Sequence, residues 1–328
     1  LYGRRHLPAQ LASRWLAASA ALLVALNATL AYQSTSADSS APFAFLAATA
    51  LAIAAPPLTH VRALATGALI ALAYLARADG LLLLAAALLI WLVVLFRGAS
   101  PLQPPGGRPR PVHLPLLLVG FGVVIAPWLV RNALVLGTPL PGSLLAQAWL
   151  GDYAETFNYL AHPTFPGLLV RGVHTILLHR WQALVSNGRV FLLNTFPWGL
   201  LALPGLWMLR RRAFALPAVY GLLLFFVSAL AFPISTMWGT FYHSFGALLP
   251  FLALATVYFL WQATERAGGR LREVTAGVIV VGLLVLASAQ VFIALPTVAQ
   301  RHETERLQFE AIDAVSYTHL TLPTKRIV

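Results

Sequence analysis

Five side chains carry charge or a titratable ring where apolar sequence stops: Asp38, Arg77, Asp79, Arg131 and His243. Asp38, in Q-S-T-S-A-D-S-S-A-P, is the only acidic residue among the first 78 positions. A carboxylate there can bind an acceptor hydroxyl, orient a base or hold a divalent cation. It can equally cap the helix that starts near Pro42, because Ser and Asp favour helix starts. Arg77 and Asp79, in L-A-R-A-D-G, fall between two apolar runs. Charges at membrane depth cost about 2.5 to 3.5 kcal/mol each on insertion scales, so they pair or serve a function. A mutual pair in a turn ended by Gly80 is therefore the alternative to substrate binding. Arg131 follows Pro127 and Trp128 at a span end, where it can meet a lipid phosphate or snorkel to the interface. His243, in M-W-G-T-F-Y-H-S, is a candidate phosphate contact, while Trp238 and Tyr242 suit an interfacial aromatic belt. The catalytic candidate is thus Asp38, and the substrate-binding candidates are Arg77, Asp79, Arg131 and His243. Asp152 and Glu155 read as solvated loop charges. No nucleotide motif, thiolate metal site or catalytic triad is present, no metal ligand set is assigned, and a divalent cation is left open as a cofactor.

The elements that must position these residues are helices. Hydrophobic residues make up 59% of the chain and charged residues 10%, with a mean hydropathy of +0.78, far from the soluble norm of about 25% charged. A backbone in hydrocarbon finds no water, so it must form a helical bundle or a closed barrel. The apolar runs are roughly 15 to 20 residues long and rich in Leu and Ala, not short alternating strands, which predicts an all-α polytopic transmembrane bundle. A net charge of +12 does not imply nucleic acid, because the basic residues sit between spans rather than in an aromatic-laced patch. The absence of cysteine excludes disulfides and thiolate metal sites.

Nine spans are predicted, at roughly 14–33, 43–58, 63–76, 80–96, 114–130, 190–209, 214–231, 244–262 and 274–295. The runs at 43–58 and 63–76 are the shortest, since 14 residues rise only about 21 Å against a core of about 30 Å. With residue 1 cytoplasmic, 13 of the 20 arginines before Lys325 lie inside, among them Arg210, Arg211 and Arg212. The positive-inside rule therefore places the N-terminus inside and the long segment 131–189 outside. Residues 101–111, rich in Pro and Gly, read as a cytoplasmic connector. No internal repeat of the transporter kind is visible. Within the long loop, Leu169, Val173, Ile176, Leu177, Trp181 and Leu184 recur at helical spacing, which predicts an interfacial helix over 166–188.

The domain reading is a transmembrane domain over 1–296, the start of an extracytoplasmic tail or domain over 297–314, and a foreign segment over 315–328. The last follows from V-S-Y-T-H-L-T-L-P-T, Val315 to Thr324, which resembles the translation of a transposon-based sequencing adapter. Leu1 at the start, with no signal segment, points to a missing upstream part.

Three stretches resemble the multispan glycosyltransferases of the C superfamily, in particular bacterial relatives of protein O-mannosyltransferase and of the lipid A aminoarabinose transferase. Leu26 to Leu46 resembles the family's third span, second outside loop and acidic residue. L-A-R-A-D-G-L-L, Leu75 to Leu82, resembles its Leu-Thr-Arg-Pro-Glu-Gly pattern, with Ala78-Asp79 in place of Pro-Glu. A-P-W-L-V-R-N-A-L-V-L-G-T-P, Ala126 to Pro139, resembles its proline, Arg-Asn and Gly stretch before a long outside loop. The resemblance implies a cell (inner) membrane enzyme that moves a hexose or pentose from a polyprenyl-phosphate donor to a lipid, protein or glycan acceptor on the outer face. It places Asp38 at the second acidic position and the family's catalytic aspartate upstream of Leu1, so residues 1–314 alone should not transfer sugar. Two other classes fit the same pattern: a transporter or flippase of an anionic lipid, marked by broken spans at the midplane, and an oligosaccharide polymerase or ligase.

Overall fold

The computed structural model describes residues 14–35, 38–55, 58–97, 112–140, 143–158, 162–209, 214–264 and 269–321. Among them there is no strand, and helix dominates. The helices are α1 (Arg14–Ala25), α2 (Ala28–Thr35), α3 (Ser40–Ile53), α4 (His60–Ala76), α5 (Gly80–Arg97), α6 (His113–Leu136), α7 (Ser143–Ala148), α8 (Phe165–Val170), α9 (Val173–Thr195), α10 (Gly199–Leu209), α11 (Ala215–Ala231), α12 (Pro233–Met237), α13 (Thr240–Phe245), α14 (Leu249–Ala263) and α15 (Gly269–Thr321). The inside arginines Arg4, Arg5, Arg108, Arg110, Arg210 to Arg212 and Arg266, and the connector 101–111, lie outside the described residues.

Within the described residues each of the nine apolar runs is largely helical, yet fewer have the length to cross a membrane. α6, Thr240–Ala263 and Val274–Ile293 are long and apolar enough. Two bent pairs raise the number to five if each is one span: Leu16–Ala25 with Ala28–Thr35, bent by 53°, and Val173–Thr195 with Gly199–Leu209, bent by 98°. Ser40–Ile53, His60–Ala76, Gly80–Val93 and Ala215–Ala231 are apolar but shorter. The expected nine crossings therefore become three to five helices of sufficient length.

Three boundaries differ from expectation. α6 continues past Arg131 to Leu136, so the long loop begins only after Gly137, whose φ of 72° ends the helix in the left-handed region. The interfacial helix is broken in two by Gly172, at φ 85°, and its second part runs on to Thr195. The run 190–209 is consequently no single span, because its second half, α10, has 11 residues and rises only about 16 Å. Residues 297–314 are helical and continue α15, a 53-residue helix with Pro296 inside it.

Small residues pack inside and several large apolar residues face outward. The interior is lined by small residues, among them Ala47, Ala63, Ala71, Ala86, Ala202 and Ala253, each fully buried, while Phe45, Val61, Phe96 and Leu134 are at least 70% exposed. Small residues inside let helix backbones approach closely. Gly67 on α4 and Gly120 on α6 make the closest approach: a Cβ on Gly67 would lie 1.8 Å from the Leu117 carbonyl oxygen, and one on Gly120 would lie 2.1 Å from that of Leu64. α13 and α14 are central, packed by α1, α10 and α3, and Phe241 and Phe245 in α13 are fully buried.

Candidate functional site

Three stretches that are remote in sequence meet at one place: the turn before α3 with the first residue of α3, the turn between α4 and α5, and helix α13. Asp38 precedes α3, and its Oδ1 accepts from the Ser40 backbone N–H at 2.6 Å, the Asx-type cap predicted as one of its two uses. The other oxygen remains for a second task. Oδ2 lies 3.5 Å from His243 Nδ1, and the Ser40 hydroxyl lies 2.7 Å from that same nitrogen. Nδ1 therefore faces two oxygens, which favours the tautomer with its proton on Nδ1 and leaves Nε2 as an acceptor. Nε2 has no partner among the described residues, and the side chains of Asp38 and His243 are 34% and 32% exposed, enough for a ligand to reach.

His243 is held from both sides of its helix. The Tyr242 carbonyl accepts from Gln33 Nε2 at 3.0 Å, tying α13 to α2. Gly239 precedes α13 at φ 118°, and a Cβ there would come within 3.2 Å of His243 Nε2, so a glycine keeps that nitrogen clear.

Arg77 and Asp79 do form the mutual pair, at 3.3 Å, with side chains 19% and 15% exposed. They are also joined to the rest. The Ser244 hydroxyl donates to Asp79 Oδ2 at 2.5 Å, and Arg77 Nη1 reaches the Ser39 hydroxyl at 3.4 Å. Arg77 Nη2 has no partner among the described residues. One charged constellation thus contains four of the five predicted residues: Asp38, Arg77, Asp79 and His243. Arg131 stands apart from these contacts; it is exposed, and its Nη1 donates to Asn132 at 3.1 Å. Ser39, Ser40 and Ser244 were missed by sequence reasoning, although their position next to Asp38 and His243 was a usable signal. Among the described residues no group of three or more His, Asp or Glu side chains is placed to hold a metal ion.

The long loop reaches the same end of the molecule. Tyr153 stacks on Trp238, ring centroids 4.4 Å apart and 12° from parallel, one residue before Gly239. Asp152 caps the Tyr153–Thr156 turn through the Ala154 N–H at 2.8 Å. Glu155 is not a free solvated charge: it is paired with Arg171 and accepts from the Gly151 N–H at 3.0 Å, because the loop folds back on itself.

A second polar contact joins the two helix breaks. Asn27, between α1 and α2, donates to the Asn194 carbonyl at 2.6 Å, and the Thr29 hydroxyl donates to Asn194 Oδ1. No family model, no curated protein and no solved structure matches the chain.

Proposed function

We propose that this protein is a polytopic membrane glycosyltransferase that takes a sugar from a polyprenyl-phosphate donor. The observation that carries the reading is the meeting of Asp38, His243, Arg77 and Asp79 in one partly exposed constellation. In the proposed step an acceptor oxygen bonds to the anomeric carbon as the bond from that carbon to the phosphate oxygen breaks, and polyprenyl phosphate leaves with the bonding pair. The hydroxyl proton passes to His243 Nε2, and Asp38 Oδ2 stabilises the imidazolium that results. Arg77, through its unengaged Nη2, neutralises charge on the leaving phosphate. The donor's prenyl chain requires a membrane, and three to five helices of sufficient length support that setting.

The transporter reading is favoured by a different observation, the contact between the two bent helix pairs at Asn27 and Asn194. Broken helices that meet are a usual way to build a substrate path. One experiment separates the two. The full reading frame that carries this chain is reconstituted in sealed vesicles with a radiolabelled polyprenyl-phosphate hexose. Transfer of label to an acceptor, reduced about a hundredfold or more by His243→Gln and by Asp38→Asn with unchanged thermal unfolding, is the expected result. Movement of intact donor between leaflets with no cleavage would instead establish transport.

A further inference from the structure

The long loop between α6 and α9 folds around a cavity of about 140 Å³ that none of the chemistry above uses. Trp149, Glu155, His162, Thr164 and Arg171 line it. The volume corresponds to roughly four or five waters, well under the hundreds of cubic ångströms of a drug-sized site. A single small ring fits it, and a peptide segment does not.

The lining is fixed by its own contacts. Trp149 is set edge-on against Phe165, ring centroids 5.0 Å apart, so the indole is held in one orientation. Glu155 accepts from Arg171 through one oxygen and from the Gly151 N–H through the other. The guanidinium lies flat over Gly151, where a Cβ would come within 1.8 Å of its carbon and of Nη1. The pair is only partly exposed, at 39% for Arg171 and 22% for Glu155.

This arrangement selects a ligand by chemistry. The carboxylate cancels the guanidinium charge, so the site lacks the uncompensated positive charge that a phosphate needs. Each group keeps unused capacity, lone pairs on Glu155 and N–H donors on Arg171, lying side by side. Such a pair matches neighbouring hydroxyls, which accept from one partner and donate to the other. The indole adds an apolar wall for a C–H face. We infer that the cavity binds one neutral sugar ring, its hydroxyl edge on Glu155 and Arg171 and its apolar face on Trp149. The site is separate from the Asp38–His243 constellation, and the inference does not depend on transfer chemistry. The ring can belong to a soluble glycan or to a glycolipid, for Val170 and Val173, on either side of Arg171 and Gly172, are 88% and 68% exposed and suit a lipid surface.

Saturation-transfer NMR on the protein in nanodiscs tests this without any donor. The probes are methyl α-glucoside, methyl α-mannoside and methyl β-galactoside, with inorganic phosphate as competitor. At least one glycoside should receive saturation at its ring protons. Trp149→Ala and Glu155→Gln should each weaken binding about tenfold or more. Glu155→Gln preserves side-chain size and keeps the test valid should the Trp149 variant misfold. Competition by a glucosyl diacylglycerol in the nanodisc more than about tenfold stronger than by the soluble glycoside assigns the sugar to a lipid, and equal competition assigns it to a free glycan. Absence of transfer to every glycoside and no glycolipid binding, unchanged binding in both variants, or displacement of sugar by equimolar phosphate each overturns the inference. Loss of transfer activity in His243 variants leaves it untouched.

Discussion

Asp38 divides its carboxylate between two tasks, the backbone N–H of Ser40 and the ring of His243, and this division decides how its variants behave. Asn retains an oxygen for the cap, since Asn and Asp cap helices comparably, while the charge facing Nδ1 disappears. Asp79 differs because it has two side-chain partners, Arg77 and Ser244. Asp79→Ala removes an acceptor from a pair that is largely but not fully shielded. We expect it to destabilise the folded protein by about 2 to 3 kcal/mol, below the 3 to 5 typical of a fully buried pair, and Asp79→Asn to cost less because an amide oxygen still accepts. Thermal unfolding in detergent measures both. Equal midpoints for the Ala variant and the wild type would show that Arg77 is satisfied without Asp79.

Helices α4 and α6 supply an internal control at the scale of the element. Gly120 and Gly122 stand two residues apart on α6, yet a Cβ on Gly120 would meet the Leu64 carbonyl oxygen at 2.1 Å, whereas one on Gly122 would meet nothing within 4 Å. The two substitutions should therefore have opposite signs. Gly122→Ala gains up to about 1 kcal/mol of helix propensity, while Gly120→Ala must force two backbones apart and should lower the unfolding midpoint markedly. If Gly120→Ala is as stable as Gly122→Ala, the helices do not cross at Gly67 and Gly120. Residues in this crossing were not legible from periodicity, because glycine contributes no apolar signal to a helix face. The bends at Asn27 and after Thr195 were hidden for a related reason: hydropathy stays high through a bend, so an apolar run gives the length of a segment but not its straightness.

At the scale of the whole molecule, arginine placement and the described contacts make one topological prediction. The chain has no cysteine, so single cysteines can be introduced without background. Cysteine at Asn158 should react with an impermeant reagent in intact cells, and cysteine at Arg211 should react only after permeabilisation. Reversed labelling would invert the orientation and put the Asp38–His243 constellation on the cytoplasmic side. The sequence by itself determined what local composition controls: helix rather than strand, because Leu- and Ala-rich runs of roughly 15 to 20 residues suit helices and not short alternating strands, and the sites where charge interrupts the apolar runs. Hence Asp38, Arg77, Asp79 and His243 were identifiable one by one. Apart from the local Arg77–Asp79 pair, which of them meet was decided by tertiary structure. The Ser40 to His243 contact spans 203 positions and the Ser244 to Asp79 contact 165, and Arg131, of the same chemical type, lies apart on α6. Such meetings depend on how close the backbones approach and where they bend, and those are set by small residues and by polar contacts between helices that no single segment reveals.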